Sequence, residues 1–235
     1  MKKIAIAIVL LTASFISAKA QDKAFEKGTF TVDLGAGFGL YGTKIHTEEN
    51  KYNYVWNGSS FVKTKVGVTE KDTTDGALST IYPLKVEYGV TNWLGVGARF
   101  AFSDYFEERD SVTGIKPKFT SFDAGVVLNF HLIKTKRFDM PISVNCGYSS
   151  FKFISNDTKD SKGKDNGINY GISILPRIYF GDHIGMFFNV GYVGYNYPSI
   201  KFSDNTDSNL NDENDWKYRI RGSGANVGIG LIAKF

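Results

Sequence analysis

The sequence predicts an all-β protein, an eight-stranded antiparallel up-and-down β-barrel that spans a membrane, with a ten-stranded barrel as the alternative. Three observations predict it. Large apolar residues recur at every second position in segment after segment, which is the period of a strand rather than a helix. Within those segments every Asp, Glu, Lys, Arg and His falls on the opposite parity. The links between segments alternate strictly between short and long, as in barrels with short turns at one end and long loops at the other. Composition agrees: 25 Gly, 19 Phe and 13 Tyr stand beside only 5 Pro, which suits many strands joined by turns.

Ahead of the first segment, Lys2 and Lys3 precede an apolar run from Ile4 to Ile16 and a small-residue site, Ala18-Lys19-Ala20. This is the three-part pattern of a secretory signal peptide, and the run is shorter than the ~20 residues a membrane helix needs. Residues 1–20 are expected to be removed, leaving one barrel domain over 21–235. Without Lys2, Lys3 and Lys19 the 28 basic residues fall to 25 against 24 acidic ones. A nearly neutral exported chain gives no reason to expect a nucleic-acid partner. Cys146 is the only cysteine, so no internal disulfide holds the fold and no cysteine at residue 21 carries a lipid.

Eight segments follow. Phe30, Val32, Leu34, Ala36, Phe38 and Leu40 oppose Thr31, Asp33 and Gly35. Tyr82, Leu84, Val86, Tyr88 and Val90 oppose Lys85, Glu87 and Gly89. Leu94, Val96, Ala98, Phe100 and Phe102 oppose Gly95, Gly97 and Arg99. Phe122 to Leu132 carries its even residues against Asp123, Asn129 and His131, and Met140 to Tyr148 against Ser143, Asn145 and Gly147. Ile168 to Phe180 opposes Asn169, Gly171 and Arg177; Met186 to Tyr192 opposes Asn189 and Gly191. Ala225, Val227, Ile229, Leu231, Ala233 and Phe235 close the series against Asn226, Gly228, Gly230 and Lys234.

Lys or Arg facing lipid near the bilayer midplane costs roughly 2–4 kcal/mol. A soluble barrel would show the reverse sorting, a polar outside around an apolar cavity. The apolar face is therefore expected to meet acyl chains. Asp33, Lys85, Glu87, Arg99, Asp123 and Arg177 are expected to lie in a narrow lumen. Closure follows, because open sheet edges do not occur in hydrocarbon. Tyr82, Trp93, Tyr148, Tyr192 and Trp216 suit interfacial aromatic girdles.

The short links lie at Thr91-Asn92-Trp93, Ile133 to Arg137 and Gly181-Asp182-His183. The long ones run from Gly42 to Ser79, Ser103 to Lys118, Ile154 to Asn166 and Ser203 to Asp215. In the first long link an Asn57-Gly58 turn flanked by Tyr52, Tyr54, Trp56 and Val62, Val66, Val68 reads as a hairpin. It either extends beyond the membrane or supplies two further staves; Lys51, Lys63 and Lys65 favour the former. Pro176 cannot donate a ladder hydrogen bond and predicts a local bulge. Trp216, Tyr218 and Ile220 share one parity and Ala225 onward the other, so a register-resetting bulge is expected at Gly222-Ser223-Gly224.

The segment YGVTNWLGVGARFAF resembles the second hairpin of small outer-membrane β-barrel proteins of the OmpA/OmpX/OmpW-like group, and LPRIYFGDHIGMFFNVGYVGY resembles their third. The resemblance covers Gln21 to Phe235. It implies the outer membrane of a Gram-negative-type bacterium, with lipopolysaccharide and other outer-membrane lipid around the barrel. It also implies that the barrel-assembly machinery reads the terminal aromatic residue, which Phe235 matches.

At eight strands a barrel interior is filled by side chains, so the lumen charges read as a packed, paired plug before they read as a pathway, with Glu87 and Arg99 on neighbouring strands as the best pair. The three His, His46, His131 and His183, lack a serine partner at useful spacing, so no catalytic residue is assigned. The last long link carries five acidic residues without the spacing or central Gly of an EF-hand loop, so no metal and no cofactor is expected. Two roles remain: a structural or surface-interaction protein acting through its extracellular loops, with extracellular ligands as partners, or a narrow channel for small or hydrophobic solutes.

Overall fold

A computed structural model describes residues 23–106, 117–154, 162–203 and 214–235. The signal-peptide assignment lies outside these residues, as does most of the acidic last link. Among the described residues nine strands are formed: β1 (Phe30–Trp56), β2 (Phe61–Gly89), β3 (Leu94–Phe106), β4 (Lys118–Lys134), β5 (Phe138–Ile154), β6 (Lys162–Ile174), β7 (Arg177–Tyr179), β8 (Ile184–Ser203) and β9 (Asn214–Lys234). Each pairs antiparallel with its neighbour, β4 with β5 and β9 with β1 among them, so the sheet closes on itself. β6 and β7 are two pieces of one stave, since both lie between β5 and β8. The result is an eight-staved antiparallel barrel with no open edge within the ring.

The alternation sorts as the sequence predicts. Leu34, Phe38, Leu40, Val126, Val190, Ile229 and Leu231 point outward and are exposed, whereas the interior holds Asp33, Lys85, Glu87, Asp123, Asn129, His131 and Arg177. A water-soluble protein does not leave a continuous apolar band exposed around its girth. On β1 the band runs from Phe30 to Leu40, ten steps that make about 33 Å along a strand, or about 25 Å across a bilayer at a tilt near 40°. That matches the height of a lipid-facing band, and the chain is a membrane barrel. Tyr82, Trp93, Tyr148 and Tyr192 are exposed on this outer surface.

The short links are as expected: β2 and β3 are joined by residues 90–93, β4 and β5 by 135–137, and β7 and β8 by 180–183. The first long link is not a loop. β1 and β2 continue through it as a paired ribbon from Gly42↔Gly76 to Trp56↔Phe61, with one register shift at Lys51/Tyr52. It caps in a turn where Asn57 N donates to Ser60 O at 3.0 Å, Asn57 Oδ1 accepts from Ser59 N and Ser60 N, and Gly58 takes φ +100°. The hairpin extends past the band and adds no staves to the ring.

Two expected bulges are absent. β9 pairs with β1 in unbroken register from Lys51↔Asn214 to Thr31↔Lys234, straight through Gly222-Ser223-Gly224. What changes there is the surroundings of each face. Toward the hairpin end the inward positions become apolar, with Tyr41, Ile81, Phe151, Tyr195 and Tyr197 forming a core that Ile220 packs against, while Arg219 and Arg221 face outward above the band. The apolar parity inverts because its partner inverts, from lipid outside to aromatic rings inside. At Pro176 the ladder is interrupted, but no residue is inserted. Ile174 faces Ile142 and Val190, and Arg177 faces Asp139 and Phe187, in the same register. The freed groups find other partners, Leu175 N donating to Pro141 O and Phe188 N to Pro176 O, both at 3.0 Å.

The hairpin stem is tied by exposed charges. Lys44 Nζ and His46 Nδ1 each lie 2.8 Å from Asp72, and their hydrogen bonds hold the Asp72 carboxyl below the ordinary value of 3.8. A depressed carboxyl contributes stability that is complete above 3.8 and is lost as pH falls through the lowered folded value. Amide exchange in the stem, around Lys44 and Asp72, should therefore accelerate in that acid window while ring amides stay protected.

Candidate functional site

The short-turn half of the lumen is filled by a buried charge cluster. Its centre is Arg177, placed by the Leu175-Pro176 break at the first position of β7 and fully buried. Arg177 Nη2 donates to Glu87 Oε2 at 2.7 Å and to Asp33 Oδ2 at 3.0 Å, and Nη1 donates to Asp139 Oδ2 at 3.5 Å. One planar fork thus serves carboxylates from three other strands, β1, β2 and β5, which a lysine ammonium could not do with the same geometry. Glu87 Oε2 also accepts from Thr31 Oγ1 at 3.4 Å. Glu87 lies across Gly95 on β3, where an added Cβ would overlap Oε1.

His131 of β4 completes the cluster. Nε2 is 2.7 Å from Glu87 Oε1, and Nδ1 is 2.9 Å from both oxygens of Asp139. A carboxylate thus faces each ring nitrogen, and the ring ties Glu87 of β2 to Asp139 of β5. Phe25 lies flat on it, ring centroids 3.3 Å apart and planes within 5°.

Phe25 belongs to a strap over residues 23–29 that crosses the short-turn mouth of the barrel. Ala24 N donates to Thr135 O at 2.8 Å, Lys27 N to Asn92 Oδ1 at 3.0 Å and Gly28 N to Gly89 O at 2.8 Å. Ala24 of the strap packs with Leu175, Tyr179, Phe187 and Ile232 in an apolar layer. Replacing Phe25 with Leu keeps most of the volume but loses the stack, and should cost about 1 kcal/mol in urea unfolding of the micelle-bound barrel.

A second group sits nearer the hairpin end. Asp123 accepts from Ser149 Oγ at 2.5 Å and Tyr195 Oη at 3.2 Å, and Arg99 Nη1 is 3.6 Å away. Ser149 Oγ is also 2.7 Å from Tyr197 Oη. Between the two groups lies a cavity of about 40 Å³ lined by Lys85, Arg99, Asn145, Asn189 and Asn226 among others. That is room for a few waters, which would hydrate the Lys85 ammonium facing it.

All six sequence-named lumen residues point inward, but they pair differently from the expectation. Glu87 and Arg99 do not meet. The β2–β3 register sets Lys85 opposite Arg99 and Glu87 opposite Gly97, so Glu87 turns across the ring to Arg177 and Arg99 reaches back to Asp123. Sequence reasoning missed Asp139, His131 and Phe25 as members. Asp139 and His131 sit on the inward parity of β5 and β4, a signal present in the sequence; Phe25 precedes the first alternating segment and carries none. Within the lumen the carboxylates Asp33, Glu87, Asp123 and Asp139 lie among the basic side chains Lys85, Arg99, His131 and Arg177. Phe235, read as an assembly signal, ends the ring with its backbone paired to Phe30 in both directions, at 2.8 and 3.0 Å.

No family model and no curated protein matches the chain. Solved structures do. The outer membrane protein OprG from Pseudomonas aeruginosa is 15% identical, with 90% of this chain and 97% of that one covered at a TM-score of 0.49. Ail, the attachment invasion locus protein of Yersinia pestis, is 14% identical over 89% of this chain and 99% of that one, at 0.42. The outer membrane protease OmpT from Escherichia coli is 13% identical over 90% and 98%, at 0.44. Likeness at this distance assigns no residue a role.

Proposed function

We propose that this chain is an outer-membrane protein of a Gram-negative-type bacterium, exported by a cleaved signal peptide, with a non-enzymatic structural and surface-interaction role. The observation that carries this reading is the β1–β2 ribbon, which continues from Gly42 to Trp56 beyond the apolar band. Fourteen steps make about 46 Å along the strand, far more than a barrel needs to close. The hairpin end then faces outside and the short turns face the periplasm, with outer-membrane lipid and lipopolysaccharide around the band and Phe235 offered to the barrel-assembly machinery.

The buried, hydrogen-bonded cluster and its strap argue for a plug rather than a conduit. Purified protein in planar bilayers should give no reproducible conductance, and deleting residues 50–68 should abolish surface interaction while sparing insertion. Reproducible conductance would favour the second reading, a narrow channel for small or hydrophobic solutes. One feature speaks for it: a cavity of about 170 Å³ inside the hairpin end, lined by Tyr41, Tyr105, Phe119, Phe151, Tyr197 and Ile220 among others.

A further inference from the structure

We infer that the hairpin tip is a docking surface for an anionic lipid surface lying opposite the barrel's own membrane. This rests on the reading of the ribbon as the interaction element and names its partner. Charge is segregated along the ribbon. The stem is net acidic, with Glu48, Glu49, Glu70, Asp72 and Asp75 against Lys44 and Lys71, whereas residues 51–68 hold Lys51, Lys63 and Lys65 and no acidic residue. The register assembles one face from these parts: Tyr52 opposite Lys65, Tyr54 opposite Lys63, Trp56 opposite Phe61.

Lys63 Nζ stands 4.3 Å over the Tyr52 ring, and Trp56 meets Phe61 edge-on at 5.2 Å. Tyr54, Trp56 and Phe61 remain exposed, Phe61 at 68%. The opposite face presents Val55 and Val62, also exposed. A tip apolar on both faces, with Tyr, Trp and Lys around it, has the composition of an interfacial anchor, its rings at headgroup depth and its ammonium groups on lipid phosphates. A glycan would instead want one flat aromatic platform and has no use for the valines.

Reach decides which membrane. The tip stands about 46 Å along the strand from the band, and a surface potential decays within about 8–10 Å at physiological salt. The barrel's own leaflet therefore exerts no pull on the tip, which is free to meet a second surface.

The test uses the full chain in nanodiscs of phosphatidylcholine, mixed with vesicles of phosphatidylcholine alone or with phosphatidylglycerol, and separated by flotation. The wild type should float with the phosphatidylglycerol vesicles only and be released by salt. Each lysine near an anionic surface is worth roughly a factor of five. The combined Lys51→Gln, Lys63→Gln and Lys65→Gln variant should thus bind on the order of a hundredfold more weakly. Trp56→Ser with Phe61→Ser should weaken binding while leaving its salt dependence. Heat-modifiable gel mobility confirms that each variant is folded.

Equal flotation with both vesicle types, or with neither, overturns the inference. Retention on heparin beads without vesicle binding overturns it too, while leaving the surface-interaction reading intact. That reading stands or falls separately, on the conductance and deletion measurements.

Discussion

Replacing Arg177 with Met should cost at least about 3–5 kcal/mol, the penalty for stranding buried carboxylates whose partner has been removed. Asp33, Glu87 and Asp139 all lean on this one guanidinium, and the barrel wall keeps water from replacing it. The expected readout is a large fall in the urea midpoint of refolded protein, with heat-modifiable mobility lost at concentrations where the wild type keeps it. Arg177→Lys should recover only part, because a point charge cannot reach carboxylates on three strands as a planar fork does. Adding Glu87→Gln to Arg177→Met should restore some stability, since it removes a stranded charge. Two additive losses would mean that the cluster is not one coupled unit.

Placing arginine at Leu34 should cost roughly 2–4 kcal/mol in a bilayer. Leu34 is 63% exposed and near the middle of the band between Phe30 and Leu40, so its exposure is to acyl chains. On a water-facing surface the same change would fall within about 0.5 kcal/mol of zero. Lys44→Arg, on the same strand above the band, is the control and should be nearly silent. The contrast separates depth in a membrane from simple loss of an apolar residue.

Much of this architecture can be read from periodicity alone, because a strand in a membrane barrel has different solvents on its two faces and the residues record both. The parity of Asp33, Lys85, Glu87, Arg99, Asp123 and Arg177 places them inside. Their partners are another matter. Glu87 and Arg177 are 90 residues apart, and which inward group meets which depends on register and on the width of the ring. No single segment contains that information. The strand lengths were hidden for a related reason. Once β1 and β2 leave the band, neither face is lipid, so the alternation fades although the ladder continues to Trp56↔Phe61. The same change of surroundings makes Tyr218 and Ile220 look out of step with Ala225, when β9 keeps one register against β1 throughout and the one shift against β8 lies farther along, between Tyr197 and Ile200. Phe25 is illegible for the opposite reason, being a strap residue whose place is set by the His131 ring it covers.

Cys146 offers a direct probe of the whole account. It is the only cysteine, is exposed, and sits in the outward row of β5 opposite Val126 and Tyr170. A spin label there, in protein reconstituted into bilayers, should collide freely with molecular oxygen dissolved in the acyl chains and hardly at all with a water-soluble nickel chelate. A label quenched chiefly by the chelate would mean that the apolar face meets water, and the membrane barrel described above would be contradicted.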